Sequence, residues 1–245
     1  MLLRKTPVDA EIYNDLDGDI VNLFRVLRDE EQSEDLRSLL RLTPFARDEF
    51  ELAYEPSDCS VEAARRLLVR AAMGHSSAAH NPSHRTSFRQ KAWRRGKALP
   101  LDWSRIPDAL EPITERLRGV VIENRDALKV LMAWDDEHTL HYVDPPYVHS
   151  TRHGDASNRA YRHEMDDDAH HELLSLLLGL KGMVILSGYA NPIYDETLKT
   201  WARIETVATK SSSRGASQAA EVLWLNPAAA ERQPEQPVQT LFNAA

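Results

Sequence analysis

Hydrophobic positions follow two different spacings along the chain, and each spacing predicts a different element. Short apolar or β-branched runs predict strands, whereas apolar residues three or four positions apart predict helices. A strand candidate at 11–14 is followed by the stripe of an amphipathic helix, made of Ile20, Leu23, Phe24 and Leu27. Because this order recurs along the chain, we predict an α/β fold with a doubly wound sheet.

The other predicted elements follow from the same two spacings. Further strands are predicted at 120–123, 140–143, 183–186, 204–209 and 222–225. Further helices are predicted at 36–42, 61–73, 126–134, 170–180 and 192–201. Residues 75–107 have no sustained period, and the polar segment 227–245 is predicted to form a mobile tail.

Polar residues directly follow three of the predicted strands. Asn14-Asp15 follows the strand at 11–14, Asn124-Arg125-Asp126 follows the strand at 120–123, and Asp144 follows the strand at 140–143. Ligands of doubly wound sheets bind beyond the carboxyl ends of the strands. Placement alone therefore predicts a ligand site at these positions.

The segment Asp144-Pro145-Pro146-Tyr147 offers hydrogen-bond acceptors beside an aromatic ring. Proline has no N–H, so the polar groups at the start of this turn are the Asp144 carboxylate and the Pro145 carbonyl, and Tyr147 adds a flat face on which a base can stack. The exocyclic amine of adenine is a poor nucleophile, and acceptors that stabilise its developing charge are worth roughly 3–4 kcal/mol each. The segment therefore suits methylation of such an amine, while an ordinary strand-ending turn is the alternative interpretation.

The neighbourhood of this segment resembles the DNA adenine-N6 methyltransferase family of the Dam and phage adenine methylase type. The matching strings are EIYNDLDGDIVNLFRVLR at 11–28, TLHYVDPPYVHSTR at 139–152, YRHEM at 161–165 and VILSGYANPIYDETLKTW at 184–201. The resemblance is densest before residue 55 and between 119 and 226. It implies a Rossmann-like sheet and transfer of a methyl group from S-adenosylmethionine to N6 of a flipped-out adenine in double-stranded DNA.

The resemblance also implies roles for single residues. Asp144, Pro145 and Tyr147 match the positions that hold the target base, and Asp144 borders the methyl donor as well. Asp15 matches the acid that binds the donor's ribose hydroxyls, and Asp126 matches the position that contacts the donor's adenine. Helix capping is the alternative role for both acids.

No metal is expected at this site. Methyl transfer needs none, and the string His163-Glu164-Met165 with His170 and His171 lacks the HExxH spacing of a zinc site.

Charge is distributed unevenly along the chain, which carries a net charge of −8. Residues 65–118 contain twelve Lys or Arg against four acids, and residues 85–97 contain six basic residues and no acid. Localised positive charge is what phosphate contacts require. We predict that residues 55–118 are a mostly helical or irregular DNA-recognition insertion between the catalytic segments 1–54 and 119–226, with a solvated charged face as the alternative.

The predicted phosphate contacts are Arg85, Arg89, Lys91, Arg94, Arg95, Lys97 and Arg152. Phe88, Trp93 and Trp103 lie among or near them, an aromatic and cationic mixture typical of nucleic-acid contact.

The single cysteine, Cys59, excludes an intrachain disulfide. No signal peptide precedes the first strand, and no apolar run reaches the roughly 18 residues of a membrane span. We therefore expect a cytoplasmic protein without a membrane partner.

One part of the family pattern is missing. The family begins with a Gly-rich donor-binding loop after a first sheet strand, whereas this chain opens at Met1-Leu2-Leu3. We expect two partial sheets, weak S-adenosylmethionine binding and little activity of this chain alone, unless a separate fragment supplies the segment. The alternatives are a non-catalytic DNA-binding remnant and methylation of another amino group, such as cytosine N4 or guanine N2 in RNA.

Overall fold

The structure is a computed structural model that describes residues 2–75, 81–90, 93–94, 97–151, 161–212 and 215–232. It has a mixed α/β fold and divides into two compact units. The first unit comprises Met1–Ala127 with Arg159–His163, and the second comprises Leu128–Asn158 with Glu164–Ala245.

The first unit combines a parallel strand pair with a helical core. Its elements are β1 (Glu11–Asn14), α1 (Gly18–Arg28), α2 (Glu30–Leu42), α3 (Arg47–Leu52), α4 (Ser60–Met73), β2 (Trp93–Arg94), β3 (Lys97–Ala98), α5 (Leu99–Ser104), α6 (Ile106–Leu117) and β4 (Val120–Glu123). Strands β1 and β4 pair in parallel, while β2 and β3 form a short antiparallel pair.

Helices α1, α2, α4 and α6 pack together in this unit because each buries one apolar face. Side chains of Asp17 and Asp29 cap α1 and α2 by accepting hydrogen bonds from the backbone N–H groups of Asp19 and Gln32. Helix capping was the alternative role for Asp15, but Asp17 is the residue that caps α1.

The second unit contains a four-stranded mixed sheet. Its elements are α7 (Ala127–Ala133), β5 (Leu140–Val143), α8 (Asp167–Gly179), β6 (Met183–Tyr189), α9 (Pro192–Thr197), β7 (Ala202–Ser212), β8 (Gly215–Leu225) and α10 (Pro227–Glu231). The strand order is β5-β6-β8-β7, with β5 and β6 parallel and the other pairs antiparallel.

One face of this sheet packs against α8 and α9 in the main core of the second unit. Val184 and Leu186 of β6 and Trp224 of β8 are buried there with Leu174 and Tyr194 of the two helices. A smaller apolar cluster on other residues of β6 and β8 includes Ala229 of α10.

The predicted strands at 11–14, 120–123 and 140–143 have the bounds observed in the structure. Helices α3, α5, α6 and α10 were not predicted. In particular, residues 227–231, predicted to begin a mobile tail, form α10, because Asn226 caps that helix and Ala229 packs into the sheet; residues 233–245 lie outside the described part of the chain. The separate β1-β4 and β5-β6-β8-β7 sheets agree with the expectation of two partial sheets.

In the portion of the chain described above, no helix combines the length and apolar character that a membrane span requires.

Candidate functional site

Asp144 lies at the carboxyl end of β5, where β5 runs parallel to β6. The register pairs Val143 with Leu186, so the next residues along the two strands, Asp144 and Ser187, are neighbours. The Ser187 hydroxyl oxygen is 2.9 Å from Asp144 Oδ1 and 3.2 Å from the Val143 carbonyl oxygen. Strand pairing thus gives the acid of the Asp144–Tyr147 turn a defined hydrogen-bonding partner.

A cavity of about 160 Å³ opens beside Asp144. It is lined by Tyr142, Asp144, Tyr147, Ser187, Gly188, Glu221, Val222 and Leu223. Pockets for drug-sized ligands typically measure roughly 300–1,000 Å³. The smaller volume here suits one flat ring system rather than a complete nucleotide.

The polar side chains of this pocket come from three strands of the same sheet. Tyr142 belongs to β5, Ser187 to β6 and Glu221 to β8, and Glu221 lies opposite Tyr189 in the β6–β8 register. Alternate residues of a strand project from the same face, which places this set together. Neither Tyr142 nor Glu221 was predicted as a pocket residue, and Glu221 reaches the pocket through antiparallel pairing of β6 with a strand more than twenty residues later, which leaves no local signal.

The pocket is electrostatically negative and accepts hydrogen bonds. Desolvation of the carboxyl against the pocket wall raises the pKa of Asp144, although the residue as a whole is exposed to solvent, and the Ser187 hydroxyl acts in the opposite direction. Burial also raises the pKa of Tyr142 and of Tyr189, with the charges of Asp144 and Glu221 adding to the rise, whereas a hydrogen bond with Ser187 acts to lower the pKa of Tyr142. A ligand that presents N–H donors fits this pocket better than an anion.

The turn that carries Asp144 is anchored in the core of its unit. Pro145 is buried, and Val148, which is only 2% exposed, belongs to the cluster beneath the sheet. The Tyr147 ring packs edge-on against Tyr189, with ring centroids 4.4 Å apart. This contact fixes the orientation of the Tyr147 ring.

A larger cleft of about 400 Å³ in the same unit is lined by His149, Asp166, Asp167 and Asp168. It is open to solvent, and Asp166 is occupied in capping α8 by accepting from the Ala169 N–H. Across the described ranges, no group of three or more His, Cys, Asp or Glu residues has the geometry of a metal site. The smaller pocket therefore has the more specific chemistry.

In the first unit, the loops after β1 and β4 are joined by side-chain amides. Asn14 Nδ2 donates to the Arg125 carbonyl at 3.0 Å, and Asn14 Oδ1 accepts from the Arg125 N–H at 3.1 Å. Asn124 Nδ2 donates to the Asp15 carbonyl at 2.7 Å. These bonds bring together two of the three polar segments for which a ligand site was predicted beyond the carboxyl ends of the strands.

Asp15 already uses both of its carboxylate oxygens. Oδ2 accepts from the Tyr13 hydroxyl and Oδ1 from the Asp17 N–H, each at 2.9 Å. A carboxylate oxygen has two lone pairs, so each oxygen can accept one further bond. Asp126 is exposed on the neighbouring loop.

The predicted DNA contacts fall into three groups. Lys91, Arg95 and Arg152 lie outside the described residues, and Arg94 and Lys97 belong to β2 and β3. Arg85 is exposed, with its guanidinium 3.2 Å from the Glu55 carboxylate and 5.2 Å from the Tyr54 ring centroid. Such a surface ion pair is weak, so Arg85 can exchange it for a phosphate, whereas the Arg89 side chain donates to the Gly74 carbonyl.

The structure changes the interpretation of the wider basic region at 65–118, because several of its cations are paired with acids inside the first unit. Arg65 and Arg70 are 6% and 4% exposed and form ion pairs with acids of the first unit, and Arg116 pairs with Glu11. These cations balance internal carboxylates because unpaired buried charge is costly. The cationic surface is therefore narrower than the count over 65–118 indicated.

Two of the aromatic residues assigned to nucleic-acid contact belong to the core instead. Trp103 is 4% exposed, and its Nε1–H donates to the Thr43 carbonyl at 2.7 Å. Phe88 packs against Phe45 and Phe50, with ring centroids 5.4 and 5.7 Å apart. Trp103 is therefore a core residue and Phe88 packs against the core, because aromatic residues near cations in sequence can face opposite sides of the chain.

No known protein family matches this chain, and no curated protein matches it either.

Proposed function

We propose that this protein is a site-specific DNA methyltransferase that transfers a methyl group from S-adenosylmethionine to N6 of a flipped-out adenine. The observation that carries the proposal is the pocket in which the Asp144 carboxylate, held by Ser187, stands beside the ring of Tyr147. Its acceptors match the N–H groups of an exocyclic amine. The resemblance of the surrounding segments to adenine-N6 methyltransferases supplies the reaction.

The size and polarity of the pocket support a nucleobase as its ligand. A cavity of about 160 Å³ bounded by two tyrosines accepts a flat ring, and stacking on an aromatic side chain contributes roughly 1–3 kcal/mol per base. A base must leave the duplex to reach such a pocket, which costs a few kcal/mol. Stacking and amine contacts together are large enough to offset that cost.

Within the first unit, Asp15 and Asp126 are the candidates for the methyl donor. The unused lone pairs of Asp15 can accept from the two hydroxyls of a ribose, and the exposed Asp126 can accept from an adenine amino group. S-adenosylmethionine supplies the activated methyl group. The residues present are chemically compatible with this donor.

A second candidate function is DNA binding without catalysis. The observation that favours it is that both oxygens of Asp15 are already bonded within the chain, which weakens a site for the donor's ribose. Methylation of cytosine N4 or of guanine N2 in RNA is a third candidate, because an acceptor pocket serves any exocyclic amine.

A radiolabelled methyl-transfer assay on DNA without N6-methyladenine tests these proposals. Because the chain alone is expected to have little activity, we expect weak label in N6-methyladenine from the unmodified protein and none from Asp144→Ala. Label in cytosine or in RNA guanine would favour the third candidate. Salt-dependent DNA binding with neither label nor S-adenosylmethionine binding would favour the second.

A further inference from the structure

Ser187 is the buried polar centre of the pocket. It is 8% exposed, and its hydroxyl is within hydrogen-bonding distance of both Asp144 Oδ1, at 2.9 Å, and the Val143 carbonyl, at 3.2 Å. Both acceptors belong to one strand end, while Ser187 belongs to the neighbouring strand. A hydroxyl has a single proton to donate, so these two bonds compete.

The competition makes Ser187 suited to either protonation state of Asp144. When the carboxyl is charged, the Ser187 proton is drawn to Oδ1, because a charged acceptor forms the stronger bond. When the carboxyl is protonated, its O–H can donate to Ser187 Oγ, and the serine proton then turns to the Val143 carbonyl. Both arrangements hold the carboxyl in one orientation.

Resting on the proposed function, we propose that Ser187 is a positioning residue that holds Asp144 Oδ1 and thereby directs Oδ2 to the amino group of the target base. Ser187 does not touch the reacting atoms. Its effect passes through Asp144, whose remaining oxygen is the acceptor for the amine. An alanine at this position removes the constraint and leaves the carboxyl free to rotate.

The geometry favours positioning of Asp144 over a role in which Ser187 only holds β5 and β6 together. The β5–β6 ladder is already joined by backbone pairing from Leu140–Met183 to Val143–Leu186. The bond to the Val143 carbonyl alone would serve cohesion, whereas the shorter bond goes to the functional carboxylate. Loss of Ser187 should therefore affect the carboxylate more than the sheet.

The test compares Ser187→Ala, Ser187→Thr and Ser187→Cys in the full chain, with the exposed helical Ser175→Ala as the matched control. The measured quantities are kcat and KM for DNA across pH, together with the Asp144 carboxyl ¹³C shift across pH, assigned with Asp144→Asn. The cysteine keeps the side-chain volume but donates weakly. It thus replaces alanine as the informative variant if alanine prevents folding.

We expect Ser187→Ala and Ser187→Cys to lower kcat by roughly 10- to 100-fold, the scale of a misplaced catalytic group, with KM for DNA within about threefold. Hydrogen bonding to the charged form lowers a pKa, so both variants should move the Asp144 titration, and the acid limb of the kcat profile, to higher pH. Ser187→Thr should keep kcat and the Asp144 titration near those of the unmodified protein. Ser175→Ala should change neither quantity.

The two proposals fail in different ways. An Asp144 titration that stays unchanged in both Ser187→Ala and Ser187→Cys overturns the role of Ser187, whatever the turnover. A shifted titration in a protein that methylates no nucleobase supports Ser187 as the residue that holds Asp144 and overturns the proposed function. Equal losses of kcat in the threonine and alanine variants would also count against positioning by the hydroxyl.

Discussion

The chemistry proposed for the pocket depends on one carboxylate, that of Asp144. Ser187 donates a hydrogen bond to one of its oxygens, and the charged form of the carboxyl is the stronger acceptor. Because burial raises the pKa of this carboxyl, the charged form is less favoured than in water, and the hydrogen bond from Ser187 compensates in part.

Substituting Asp144 should separate base recognition from DNA binding. We expect Asp144→Ala to abolish methyl transfer, because the amine loses its charged acceptor, while DNA affinity changes by only a few fold, because the predicted phosphate contacts lie elsewhere. Asp144→Asn should retain a trace of activity, since the amide oxygen still accepts. Paired methylation and fluorescence-anisotropy measurements check this, and an Asp144→Ala variant with normal turnover would refute the assignment.

At the scale of elements, Asn226 joins three parts of the second unit. Its Oδ1 accepts from the Val184 and Ala229 N–H groups, at 3.0 and 2.9 Å, and its Nδ2 donates to the Gly182 carbonyl at 2.9 Å. The residue therefore ends β8, caps α10 and holds the start of β6. Its side chain is 7% exposed, so water cannot readily replace these bonds.

Asn226→Ala should lower the free energy of unfolding by about 3 kcal/mol, since buried backbone groups left without partners cost roughly 1–3 kcal/mol each. Asn226→Asp keeps the two acceptor bonds and should lose less. Urea denaturation of the three proteins measures the difference. A loss below about 0.5 kcal/mol in the alanine variant would mean that the side-chain bonds contribute little.

Glu11 connects β1 to α6 through Arg116. Arg116 and Lys5 lower the pKa of Glu11 to about 2, from an ordinary value of 4.5. A carboxyl whose folded pKa is depressed stabilises the fold above its unfolded pKa, and that contribution disappears as the pH falls through the folded pKa. The pair therefore stabilises the first unit at neutral pH.

We expect Glu11→Gln to lower Tm at pH 7 and to reduce the fall in Tm between about pH 4.5 and pH 2. Glu115→Gln, which removes an exposed partner of Arg118, is the control and should leave Tm nearly unchanged. Differential scanning calorimetry over that pH range measures both. Parallel Tm profiles for Glu11→Gln and the unmodified protein would show that the depressed pKa is absent.

The elements that the sequence predicts best are short strands bounded by polar turns. Strands β1, β4 and β5 are local features, so their bounds are readable from alternation and β-branching alone. Helices α5 and α6 escaped prediction because they contain Pro100, Pro107 and Pro112. The first two prolines occupy first-turn positions, where no N–H is needed, whereas Pro112 lies inside α6.

The pocket likewise combines residues that the local sequence predicts with residues that long-range pairing brings in. Asp144 and Tyr147 belong to one contiguous segment and are recognisable in the sequence. Glu221 reaches the pocket only through the antiparallel register of β6 and β8, and Arg65 is withdrawn from the surface by Glu49 and Glu62. These contacts depend on strand register and on ion pairs between residues far apart in the chain, which local sequence patterns do not predict.

At the scale of the whole molecule, the proposed binding to DNA would have to occur in a chain whose net charge is −8. Internal pairing of Arg65, Arg70 and Arg116 removes part of the cationic charge from the surface. The residues at 85–97 then remain as the main cationic stretch in the sequence, and DNA binding should be correspondingly sensitive to salt.

Arg94→Gln with Arg95→Gln should weaken DNA binding and reduce the slope of log K against log salt by about 0.9 for each phosphate that the protein no longer neutralises. The matched control is Arg25→Gln with Arg28→Gln, which removes the same charge from exposed positions of α1. Anisotropy titrations at several salt concentrations measure the slopes. Equal effects of the two double variants would indicate dependence on net charge rather than on a local surface.

The parallel register of β5 and β6 has a consequence for how the chain can change through evolution. Asp144 meets Ser187 because Val143 pairs with Leu186. Inserting one residue within either strand would turn the acid and the hydroxyl to opposite faces of the sheet, whereas the connection between the strands tolerates changes in length. Among descendants of this gene, insertions and deletions should therefore accumulate in the connection between the two strands and be purged from 140–144 and 183–187.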